Sequence, residues 1–143
     1  MPTEDDRRQT VADHRGPLDR FLAAPVFEAD WVAVVAFYCA LHAVEAVFAH
    51  DGLPPCGDHG ERNRRLRQTR RYSKLWTHYR ALYEASLLAR YRQDERDRFQ
   101  RLTDTIGQER IRGELVDHRL RQVLKSAERL TGRPTPPPAE PPS

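Results

Sequence analysis

Two groups of residues in this chain have the types and the spacing to handle a phosphodiester. The first is Tyr38, His42 and Glu45, spaced by four and three, so on a helix they share one face. They interrupt the very apolar run Trp31–Ala49 as a polar ladder. Buried polar groups without partners cost about 1–3 kcal/mol each, so such a ladder has to be satisfied. It reads either as a structural Tyr–His–Glu chain that fixes helix register or as part of a reactive centre. The second group is His59, Arg62 and Asn63, in the string His-Gly-Glu-Arg-Asn. Spacings of three and four set Arg62 and Asn63 beside His59 on one helix face. A histidine that titrates near neutrality, next to a permanently charged arginine, suits RNA cleavage. The His would move a proton on or off the 2′-hydroxyl or the leaving oxygen, the Arg would stabilise the phosphorane, and the Asn would orient the phosphate. The plainer alternative is a solvent-facing cluster that caps a helix.

The elements that must position these groups are helical. The chain has 143 residues, few glycines, and eleven prolines of which six follow Arg133, so 17–130 has few breaks. Residues 1–13 read as a frayed or weakly helical segment. Leu18, Phe21, Leu22 and Val26 recur at helical spacing as a short first helix that Pro25 helps to end. Asp30 is a plausible cap for a central helix from Trp31 to about His50, apolar nearly all round. Asp51-Gly52, Pro54-Pro55 and Gly57 end it. Asp58 then caps a short helix over Gly60–Gln68, and a longer one follows from about Arg71 to Tyr91, with Tyr72, Leu75, Tyr79, Leu82 and Ser86 facing inward. Asp94–Ile106 reads as an exposed helix, and Glu109–Leu130 as the last one, with the stripe Val116, Leu120, Val123, Ala127, Leu130. Gly132 is a natural stop. The tail, Arg133–Ser143, is restricted to polyproline-like extended structure and is expected to be disordered. The fold class is therefore all-α: an antiparallel bundle of four or five helices over 14–132, flanked by 1–13 and 133–143.

Trp31–Ala49 is long enough to span a bilayer, but His42, Glu45 and the lack of a basic flank favour a buried helix and no membrane. Met1–Arg8 has no apolar core like that of a secretory signal, and Cys39 and Cys56 have no metal-ligand spacing. The expected setting is the cytoplasm. His42-x2-Glu45 reverses the order found in di-iron bundles and has no second copy, so no metal is expected, and no cofactor either, since no glycine-rich phosphate loop is present. Only two of the 24 basic residues, Lys74 and Lys125, are lysines, so distribution is more telling than abundance. From Arg62 to Arg80 there are eight basic residues and no acidic one. Arg64, Arg65, Arg67, Arg70, Arg71 and Lys74 are the expected RNA contacts, with Tyr72, Trp76 and Tyr79 serving either as stacking platforms or as core. Ser86 and Arg90 fall on the inward seam of the long helix, with Glu45 as a carboxylate for Arg90.

One pattern runs through these residues: Trp31-x5-Phe37-Tyr38-x3-His42-x2-Glu45-Ala46, then His59-x2-Arg62-Asn63, then Tyr79-x2-Leu82-x3-Ser86-x2-Ala89-Arg90-Tyr91. It resembles a group of small bacterial HEPN-like proteins over roughly residues 28–92. The resemblance implies a four- or five-helix bundle that often dimerises. It further implies either a metal-independent endoribonuclease of a toxin–antitoxin or phage-defence system, or a relative that only binds nucleotides, RNA or partner proteins. The family's catalytic signature is Arg, a polar residue, and a His after four to six intervening positions. Arg62-Asn63 supplies the opening pair, but its His59 comes before it. Arg71–His78, with six residues between, and Arg112–His118, with five, supply the spacing instead. Expected partners are RNA (tRNA or other single-stranded segments), a second copy of the chain, and a protein such as an antitoxin. The other reading is a non-catalytic interaction module that binds a partner protein through an apolar seam on the last helix and the proline-rich tail.

Overall fold

The computed structural model describes residues 2–23, 29–90 and 112–140. The regular elements among those residues are all helices, without strands. Helices α1 (Glu4–Ala23), α2 (Ala29–His50), α3 (His59–Gln68) and α4 (Ser73–Arg90) are followed by a π-helical stretch, Arg112–Leu120, that runs into α5 (Arg121–Thr131). A 3₁₀ turn, Arg70–Tyr72, joins α3 to α4. The helix expected over Asp94–Ile106, together with Pro25 and Val26, lies outside the described residues.

Helix α2 is central and packs against α1, α4, α5 and the π-helical stretch. Val32, Ala36, Phe37, Val44, Val47 and Phe48 are wholly buried around its circumference, which is what an all-round apolar sequence requires. Leu66 of α3, Leu75, Tyr79 and Leu82 of α4, and Val123 of α5 close on it. Trp31–His50 is long and apolar enough to cross a membrane, with a mean hydropathy of 2.0, and 72% of it is buried inside the protein. Gly52, at φ +78°, ends α2 in the left-handed conformation, and the Leu53 amide reaches back to the Phe48 carbonyl at 2.9 Å. Asp58 caps α3 as its sequence predicts: its Oδ1 accepts from the Glu61 amide at 2.7 Å, while the Glu61 carboxylate accepts from the Gly57 amide at 2.8 Å.

Three parts differ from the sequence expectation. Residues 4–13 are not frayed: they are the first half of α1, with Val11 and Ala12 buried. Helix α1 also continues through Pro17, which has no amide hydrogen to give to the carbonyl of Asp13 one turn earlier. The last helix is wound in two ways. The π stretch sets residues five apart in register, which is how Glu114 comes to accept from Arg119 Nε at 2.6 Å. The tail, finally, is extended but seated: residues 133–140 carry no helix and lie along α1, with the Ala139 amide bonded to the Ala12 carbonyl at 2.9 Å.

Candidate functional site

The residues singled out by type converge on two places. The larger is the seam where α1, α2, α3 and α4 meet. Arg62 Nε donates to Glu45 Oε1 at 2.8 Å, and the two side chains are only 8% and 1% exposed. Arg62 Nη1 lies 3.1 Å from His59 Nδ1. A guanidinium can only donate, so this His59 nitrogen accepts and the ring proton sits on Nε2. The His59 ring is held between Phe37 and Tyr83, each with its centroid 5.7 Å away. Burial alone would depress the Arg62 guanidinium, but Tyr79 and Glu45 outweigh it and keep Arg62 above its ordinary value. Burial likewise pushes the Tyr79 phenol up. Asn63 Oδ1 is buried with no hydrogen-bond partner among the described residues.

His59, Arg62 and Asn63 are thus neighbours, as their spacing predicts. Arg62, however, is buried and neutralised by Glu45, and reaching a phosphate would mean breaking that pair. Removing one partner of such a pair costs about 3–5 kcal/mol, so the group is built for holding α3 to α2. The phosphorane-stabilising role expected of Arg62 would thus require it to leave Glu45.

The Tyr38–His42–Glu45 ladder divides between two neighbours. Glu45 turns to α3. His42 turns to α1, where its Nδ1 accepts from Arg7 Nη1 at 2.9 Å and the His14 ring lies 5.3 Å away. Desolvation, then Arg7, His14 and Arg62, bring His42 down to about 4, so it is neutral at physiological pH. The Tyr38 ring lies against Phe37 and His14, at 5.3 and 6.3 Å. Glu45 has Arg62 where Arg90 was expected; the Arg90 side chain lies outside the described residues. Ser86 Oγ donates to the Tyr83 carbonyl of its own helix at 2.8 Å.

The second place lies between α4 and the π-helical stretch. The His78 and His118 rings meet edge to face at 5.4 Å. The two histidines of the expected Arg71–His78 and Arg112–His118 pairs are therefore brought to each other. The cation beside them is Arg119, whose Nη1 is 3.4 Å from His78 Nδ1. Arg71 instead grips Asp51 through Nε and Nη2, both at 3.0 Å, and so staples the α2–α3 loop to the start of α4. Glu114 accepts from Arg119 and lies 3.2 Å from His118 Nδ1. Desolvation, then Arg119 and His118, hold His78 below its usual value.

Of the six expected RNA contacts, Arg64, Arg67, Arg70 and Lys74 are exposed, and none has an ion-pair partner among the described residues. Arg65 is half-buried, stacked 4.7 Å over Phe48 and donating to the Pro54 carbonyl at 2.8 Å. Arg71 is taken by Asp51. Tyr72 and Tyr79 are core, and half-buried Trp76 packs against it. No group of three or more His, Cys, Asp and Glu among the described residues is arranged to hold a metal ion.

Sequence reasoning missed Arg7, His14, Glu114 and Arg119. The signal for the first two was present: Arg7, Val11, His14 and Leu18 recur at four, three and four, one face of a helix whose apolar members are too few to stand out. Comparison with protein-family models, with curated proteins and with solved structures finds no match.

Proposed function

We propose that this chain is a HEPN-like RNA-binding protein that grips the phosphate backbone of single-stranded RNA or tRNA through α3, the turn after it and the start of α4. The observation that carries the reading is the row of exposed cations Arg64, Arg67, Arg70 and Lys74, with no carboxylate paired to any of them among the described residues. Glu45 and Arg62 fix the helix that presents them. Phosphate contacts of this kind give affinity without sequence preference. The homodimer expected of the family belongs to the same reading, and Trp31, 58% exposed at the start of α2, supports it.

If the protein also cleaves RNA, His78 and His118 are the groups arranged for it. One would take the 2′-hydroxyl proton as that oxygen attacks phosphorus, and the other would protonate the departing 5′-oxygen, leaving a 2′,3′-cyclic phosphate. Arg119 would stabilise the phosphorane. The alternative interaction module has less support: Leu120 and Val123, the centre of the supposed seam on the last helix, are buried inside the protein.

The test is cleavage and binding of a labelled single-stranded RNA by the purified protein, in EDTA. The reading expects tight binding that Arg64→Ala with Arg67→Ala weakens, and any cleavage to vanish in His78→Ala and in His118→Ala but survive in His59→Ala. Undetectable binding at low salt would overturn it.

A further inference from the structure

The proline-rich tail is read by the protein that carries it. Between Pro134 and Ala139 only Thr135 and Ala139 keep an amide hydrogen, and both are used. The Thr135 amide donates to Glu128 Oε1 at 2.8 Å, with its hydroxyl on the same oxygen, and the Ala139 amide donates to the Ala12 carbonyl at 2.9 Å. Proline carbonyls stand out from an extended chain without internal partners. Two are taken by α1: Arg8 Nη2 donates to the Pro134 carbonyl at 2.7 Å, and Arg15 to that of Pro136. Arg133 anchors the start of the tail on Glu4 and Asp5, at 3.0 and 2.9 Å. At the other end the fit depends on a missing side chain, because a Cβ on Gly16 would sit 2.6 Å from the Ala139 carbonyl oxygen.

The lengths agree as well. From Glu4 to Gly16 a helix rises about 18 Å at ~1.5 Å per residue, and from Arg133 to Ala139 a polyproline chain rises about 19 Å at ~3.1 Å per residue. The tail therefore stays in step with α1 from its first contact to its last.

We propose that the groove between α1 and α5, lined by Arg8, Arg15, Gly16 and Glu128, is a binding site for a proline-rich extended segment, filled in cis by residues 133–140. A partner that enters it does so by presenting the same spacing of prolines and free amides and displacing the tail.

The test uses the full chain, labelled with ¹⁵N. In the wild type the Thr135 and Ala139 amides exchange at least tenfold more slowly than in a free peptide of residues 133–143; exchange at the free-peptide rate would overturn the proposal. Thr135→Pro with Ala139→Pro and Arg133→Ala removes both amides and the anchoring ion pairs without touching the groove, and so empties it. The free peptide then binds this variant at least tenfold more tightly than it binds the wild type, shifting the side-chain resonances of Arg8 and Arg15. Equal binding to both proteins, or binding to neither, would refute the site. Gly16→Val in the emptied chain abolishes peptide binding, while α2 amides keep their protection and show that the bundle is intact.

Discussion

Glu45 and Arg62 are the residues on which the rest of the central seam depends. With side chains 1% and 8% exposed and 2.8 Å apart, neither charge can be left alone. Glu45→Ala is expected to cost about 3–5 kcal/mol, measured by urea unfolding, because it strands a buried guanidinium. A loss below about 1 kcal/mol would mean that water already reaches Arg62. His42 makes a second claim at this scale. Its folded value of about 4 lies below the 6.5 of an unfolded histidine. Between those values the unfolded chain binds a proton that the folded chain refuses. Stability is therefore full above about pH 6.5 and falls as pH drops towards 4. His42→Gln, which keeps an acceptor for Arg7, should flatten that part of the profile; an unchanged slope would assign it to other groups.

Among the elements, α2 and α4 were legible because their buried positions are apolar and numerous, so periodicity alone finds them. Helix α3 was legible through its cap, and Asp58→Ala is expected to remove about 1 kcal/mol, read from the urea midpoint. No change would mean that the Glu61 contact to Gly57 fixes this end by itself. The first half of α1 was hidden: its inward face mixes Val11 and Leu18 with Arg7 and His14, so its apolar periodicity is thin even though the helix packs closely on α2. The π winding of Arg112–Leu120 was hidden for another reason. Only a register set by tertiary packing brings Glu114 under Arg119 and His118 against His78. Of the site, the grouping of His59 with Arg62 and Asn63 followed from local spacing. That Glu45 would quench Arg62 did not, because it depends on how α3 leans on α2.

For the whole molecule the question is what the described surface offers. The core takes Tyr72 and Tyr79, the Asp51 loop takes Arg71, and the tail takes Arg8 and Arg15. Arg64, Arg67, Arg70 and Lys74 remain exposed to solvent. The measurement that tests this account most directly is the salt dependence of binding to a single-stranded RNA. Removing one cation that neutralises a phosphate should reduce the slope of log affinity against log salt by about 0.7. Arg64→Ala with Arg67→Ala should therefore lower it by about 1.4 while leaving the melting temperature unchanged. A slope and affinity equal to the wild type's would show that α3 does not carry the RNA, and the central claim would fail.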